Sequence, residues 1–208
     1  MRSAAIRLRE VAIRRRVGFA SAAALTGILA ALSSSASAAT IDDLTVRKVG
    51  DRYLIELHAQ LDARASAAYA IFADLANLRA INPDVRRVEI TRRPGGEPAE
   101  LYTEVRACVL WYCRSIRETE QMTFIRTSQG GEVSATILPR DDLRFGRARW
   151  LFTEAGGRTD LRVSAEFEPA FHVPPLIGPW VVKRWLRMET EQSSLNIERL
   201  AAADHPAR

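Results

Sequence analysis

Two glutamates in one alternating stretch, Glu118 and Glu120, are the residues whose placement most invites chemistry. Alternation puts them on one face with Ile116, Met122 and Phe124, while Arg117, Thr119 and Gln121 point the other way. A carboxylate on an apolar face is costly unless paired. Its pKa rises there, as a general acid or base working near neutral pH requires. Two other readings stay open: a bulge or open sheet end that returns both groups to water, and a structural role beside an arginine. His58, His172 and His205 are scattered, with none at ligand spacing, and two cysteines alone make a poor zinc site. No metal and no cofactor are therefore expected. His58 falls on the polar face of its strand, and His172, beside Phe171 and two prolines, stands at the entrance to the last helix. No spacing of Ser, His and Asp suggests a nucleophile elbow. Gly95-Gly96, Gly130-Gly131 and Gly156-Gly157 read as hairpin turns, not as a phosphate loop.

The elements that must position these residues begin after residue 38. Arg2, Arg7, Arg9 and Arg14-Arg15-Arg16 precede an uncharged apolar run, 17–32, and then Ala36-Ser37-Ala38. Residues 1–38 are thus expected to be a signal peptide cleaved near Ala38, with Ala39 the mature start. The apolar run falls short of the roughly 20 residues a membrane-spanning helix needs, although a retained N-terminal anchor is the alternative. The leader carries six of the 30 basic residues and one of the 25 acidic ones, which leaves 24 of each. The exported protein is then close to neutral, and its basic balance gives no support to nucleic-acid binding. Residues 39–208 are long enough for one domain, expected to be periplasmic or secreted.

Within that domain, residues 41–49 and 53–61 can pair through Gly50-Asp51. Residues 66–82 read as helix with Ser66 as N-cap, stopped by Asn82-Pro83-Asp84. Val85–Thr91, 132–138, 146–153 and 160–168 read as strands. One apolar and one charged face per strand indicates an antiparallel sheet with one wet side. Residues 100–126 are too long for one strand. A tip at Val109-Leu110-Trp111-Tyr112 opposes Cys108 to Cys113, Glu104 to Arg117 and Val105 to Ile116. That register predicts a Cys108–Cys113 disulfide outside any cavity, with two free thiols as the alternative. From about 176 to 203 only helix signal remains. One sheet followed by one long helix buries both apolar faces if it curls around that helix. The expected fold is α+β, a helix-grip in which a curved antiparallel β-sheet wraps around a long C-terminal α-helix and leaves a cavity. Its expected lining is Val105, Ile116, Met122, Phe124, Val133, Ile137, Trp150, Phe152, Val163, Phe167, Trp185 and Met188, each of which could equally be plain core.

The strand YLIELHAQL leading into SAAYAIFADLANLRAINPDV, and the ending FHVPPLIGPWVVKRWLRMETEQSSLNIERLA, resemble the START-like (SRPBCC) helix-grip superfamily over most of residues 50–203. That superfamily includes lipid-transfer START domains, polyketide cyclase/dehydrase-like proteins and coenzyme Q-binding proteins. The resemblance implies an apolar cavity, and binding or transfer more often than covalent chemistry. The expected function is an exported binder or carrier of a hydrophobic small molecule, a lipid or isoprenoid quinone first. A cyclase-, hydrolase- or isomerase-type enzyme using Glu118 or Glu120 is one alternative, and a protein-interaction module with a filled cavity is another. The apolar stretch around Pro174, Pro175, Leu176, Ile177 and Trp180 is expected to cover the cavity or touch a membrane. Lys183, Arg184 and Arg187 just downstream would suit anionic headgroups.

Overall fold

The alternating stretches assemble into one eight-stranded sheet. The computed structural model describes residues 39–92, 98–173 and 178–204, all within the compact unit Ala36–Arg208. The expected signal peptide lies outside the described residues. The chain runs β1 (Thr40–Val49), β2 (Arg52–Leu61), α1 (Ala65–Ala73), a three-ten turn (Leu75–Asn77) and α2 (Leu78–Ile81). It continues through β3 (Val85–Arg92), β4 (Ala99–Val109), β5 (Tyr112–Thr127), β6 (Gly130–Ile137), β7 (Leu143–Ala155) and β8 (Arg158–Pro169) to α3 (Gly178–Asp204). The sheet order is β1-β2-β8-β7-β6-β5-β4-β3, with every neighbouring pair antiparallel. Register shifts at Ile41/Asp43, Val85/Arg87, Ile90/Arg92 and Leu143/Phe145 introduce the irregularities that let long strands bend. α3 touches β1 and β2 on one side and β4 on the other, and also α1 and α2. This is the α+β helix-grip arrangement.

Three local details depart from the expectations. The helix expected over 66–82 breaks at Asp74, whose backbone is extended and whose carboxylate accepts the Ala76 N–H at 3.1 Å. A short acidic side chain that bonds its own backbone competes with helix propagation and starts a new turn instead. The first helix also lacks its expected Ser66 cap. It begins at Ala65, and the Ala65 N–H donates to the Glu154 carboxylate of β7 at 2.9 Å, so a distant strand supplies the capping acceptor. Gly130-Gly131 is not a turn but the start of β6, paired with Thr127 and Arg126. A Cβ on Gly131 would come within 2.4 Å of the Tyr69 ring, and one on Gly130 within 2.2 Å of the Phe152 carbonyl. These glycines let α1 approach the sheet closely.

The β4–β5 register opposes Cys108 to Cys113, Glu104 to Arg117 and Val105 to Ile116. The tip is tighter than expected. Val109 pairs with Tyr112, so only Leu110 and Trp111 turn, with Leu110 at φ 56°. The Cys108–Cys113 disulfide is present directly behind it, with the Cα atoms 4.1 Å apart. The bond closes a very short loop, so replacing both cysteines by serine is expected to cost about 2 kcal/mol of stability. Denaturant midpoints measure this, and a loss above about 4 kcal/mol would show that the bond organises far more than its tip.

Candidate functional site

The concave face of the sheet is only partly filled. α1 lies across β6 and β7, where Tyr69 and Phe72 pack on Phe152 with ring centroids 6.1 Å and 5.3 Å apart. That end is solid core. Between the remaining sheet and α3 lies a cavity of about 320 Å³, in the size range of small-molecule sites. β1 and β2 contribute Leu44, Ile55 and Leu57 to its wall, and α2 contributes Leu78 and Ile81.

Of the residues expected to line it, Val105, Ile116, Met122, Ile137, Trp150, Val163, Phe167 and Trp185 stand on the wall. Phe124, Val133 and Phe152 do not. They belong to the packed cluster under α1, where Val133 and Phe152 are fully buried and Phe124 lies against them. The alternation that placed them on the inner face is correct, but α1 occupies their end of it. Met188 is not on the wall either, being 43% exposed. The stripe of α3 that faces the cavity is Trp185, Leu186, Glu189, Thr190, Ser193, Ser194 and Ile197. At 3.6 residues per turn Met188 falls on the opposite side.

Glu118 and Glu120 both open onto the cavity, and Glu189 joins them from α3. Glu118 accepts a hydrogen bond from the Thr103 hydroxyl at 3.3 Å. Burial pushes its carboxyl above the ordinary range, and the Thr103 bond opposes this only in part. Burial first, and then the neighbouring Glu118 charge, raises Glu120 to about 8. Glu189 accepts from the Asn82 side-chain amide at 3.2 Å. It is raised to about 7, mainly by burial, then by the charges of Asp84 and Glu118. Glu120, and Glu189 in part, therefore hold a proton near neutrality and can donate as well as accept. Reading the strands alone misses Glu189. The available signal is its place one helical turn after Trp185 and one before Ser193, on the apolar stripe of a helix whose other faces are charged.

The other candidates lie elsewhere. His58 is on the convex face, 2.6 Å from the Asp160 carboxylate and 3.4 Å from Asp42. His172 is exposed and absent from the cavity wall, and His205 lies outside the described residues. Cys108 and Cys113 are also away from the cavity. Pro174, Pro175, Leu176 and Ile177 lie outside the described residues, while Trp180 is 55% exposed at the start of α3. Among the described residues no group of three or more His, Cys, Asp or Glu side chains could hold a metal ion. No described helix is long and apolar enough to cross a membrane.

Residues 54–202 match the model of the family described as "Polyketide cyclase / dehydrase and lipid transport". Among solved structures, the chain is similar to the Zhui aromatase/cyclase from Streptomyces sp. R1128, at 15% identity over 76% of this chain and 96% of that one, with a TM-score of 0.55. It is similar to a START superfamily protein from Mycobacterium smegmatis, at 17% identity over 72% and 97% of the two chains, with a TM-score of 0.56. A third is a STAR-related lipid transfer protein from Xanthomonas axonopodis, at 14% identity over 76% and 99%, with a TM-score of 0.55. At these identities the likeness is one of fold. No curated protein matches the sequence.

The raised carboxyls make a prediction about the unliganded protein. With Glu120 at about 8 and Glu189 at about 7, against an ordinary 4.5, the folded state binds more protons than the unfolded one between those values. The stability this contributes is full below the unfolded value and is lost as pH rises through the folded values. Asp142 and Glu132, held low chiefly by hydrogen bonds from Arg117 and Arg149, act in the opposite sense and at more acid pH. The melting temperature is therefore expected to fall from about pH 5 to about pH 8, and Glu120→Gln, neutral throughout, to flatten that fall. A calorimetric melting temperature that stays level or rises across this window would contradict it.

Proposed function

This chain belongs to the polyketide cyclase / dehydrase and lipid transport family, and from that membership and the cavity's chemistry we propose that it binds and carries a hydrophobic small molecule. A lipid or an isoprenoid quinone is the first candidate. The observation that carries the reading is the cavity of about 320 Å³, walled mostly by aliphatic and aromatic side chains from β1, β2, the central strands and α3. An apolar ligand gains the burial of its surface there, and a few polar groups orient it. Open space between sheet and helix supports a binder over an interaction module with a filled cavity.

The protein acts after export, on this reading. The leader pattern supports it, and so does a disulfide, which persists in oxidising compartments. Ligand exchange takes place at a membrane surface met by Trp180, with Lys183 and Arg184 exposed just behind it. Pro174–Ile177 are part of the same proposed contact. Native mass spectrometry of protein isolated from the periplasm is expected to show a chain beginning at Ala39 with an apolar ligand bound. Repeated recovery of empty protein that takes up neither lipid nor quinone would count against the reading. Ala148 stands on the cavity wall, so Ala148→Phe is expected to weaken ligand binding at least about tenfold with the fold retained.

A second reading is an enzyme of cyclase, hydrolase or isomerase type. The observation favouring it is a pair of cavity carboxyls, one of which is poised at about 8 and so suited to proton transfer near neutrality. Glu118→Gln with Glu120→Gln is then expected to lower turnover of a cyclisable substrate by roughly a hundredfold or more while the protein still binds it. Unchanged turnover in that variant would remove this reading.

A further inference from the structure

We infer that the polar part of the cavity selects an apolar ligand bearing a cationic amine, held by Glu118, Glu120 and Glu189. The inference rests on the reading of the cavity as a hydrophobic-ligand site and names the head group of that ligand. Three carboxyls reach one cavity from β5 and α3, and Asp84, just before β3, places a negative charge near Glu189. Among the described residues none of the three is in an ion pair with Lys, Arg or His. Glu118 has the Thr103 hydroxyl and Glu189 the Asn82 amide as partners. The Glu120 side chain lies deep in the protein, opens onto the cavity and, among the described residues, has neither a hydrogen bond nor an ion pair. Arg147 and Glu166 also border the cavity, but they pair with each other at 2.7 Å, and the Arg147 side chain turns outward and remains exposed.

Several carboxylates on the other face of the sheet, by contrast, have a counter-cation. On the convex face Glu132 pairs with Arg149, Asp160 with Arg162, and Glu166 with Arg52 and Arg147. Three carboxyls without a cationic partner leave a pattern that a ligand can complete. An ammonium brings one positive charge and three N–H donors, as many donors as there are carboxyls. A fatty carboxylate would add a fourth acid to the group. An alcohol or carbonyl is satisfied by one carboxyl and leaves the others as they were. Trp185, one helical turn before Glu189 on the same wall, adds an aromatic ring of the kind that attracts cations.

Titration calorimetry of the purified protein with decylamine, decanol and decanoate, below their micelle concentrations, tests this. At neutral pH decylamine is expected to bind at least about tenfold more tightly than decanol, and decanoate most weakly. Amine binding should release about one proton, measured in buffers of differing ionisation enthalpy, because a cation beside the carboxyls favours their charged form. Decanol should release none. In Glu120→Gln and Glu189→Gln the ratio of amine to alcohol affinity is expected to fall toward one, and the proton-release measurement needs no variant. Equal or tighter binding of decanol or decanoate, or amine binding without proton release, overturns the inference and leaves the hydrophobic-ligand reading standing. Failure of all three probes to bind overturns both.

Discussion

The concave face of an eight-stranded sheet has to be covered, and the part that α1 leaves bare is covered by α3, a helix of 27 residues. A helix of that length is a rod of about 40 Å. Laid across a curved sheet, a rod touches the two sides and stands off from the middle, and α3 meets β1 and β2 on one side and β4 on the other. At the α1 end the gap is closed by small residues. Ala65 and Ala68 are fully buried, and Gly130 and Gly131 let α1 sit almost on the strands. At the other end nothing of that kind intervenes, and the space remains. The cavity is thus a geometric result of covering a curved surface with one straight element and one short one.

The two faces of the sheet treat carboxylates in opposite ways. On the convex side Arg52, Arg147, Glu166 and Glu168 form a ladder of paired charges across β2, β7 and β8. Such exposed pairs contribute little stability individually, but they keep that face wet and the register unambiguous. On the concave side Glu118, Glu120 and Glu189 face aliphatic and aromatic walls with a hydroxyl and an amide as their partners. A fold optimised for stability alone would place leucine or methionine there, because buried polar groups without full partners are costly. Local departures from these rules are what functional sites commonly show.

Much of this was legible in the residue pattern, and the failures have physical causes. Strand alternation assigns inner and outer faces correctly for β2, β5, β7 and β8, because a side-chain period of two leaves no ambiguity where one face is charged. The cysteine register emerged from three cross-strand matches that reinforce one another. What alternation cannot show is which inner-face residues another element will cover, and so Phe124, Val133 and Phe152 counted as wall when they are core. Glu189 was missed because long helices carry many glutamates, and only the three-dimensional position of the stripe separates one that faces inward. Gly130-Gly131 looks like a turn in one dimension. Its purpose, close approach of Tyr69, is a contact between residues about 60 positions apart.

The sheet wraps its helix without closing into a barrel, so β1 and β3 keep free edges. Free edges offer unpaired backbone groups to any other extended chain. Both edges carry the usual defences. β1 has a register shift at Ile41/Asp43 and bears Asp42, Asp43, Arg47 and Lys48. β3 has shifts near both ends and bears Arg86, Arg87 and Glu89. Charge and irregular register together make either strand a poor template for a second copy of the chain. The gap that a barrel would have sealed can therefore stay open without becoming a seed for aggregation.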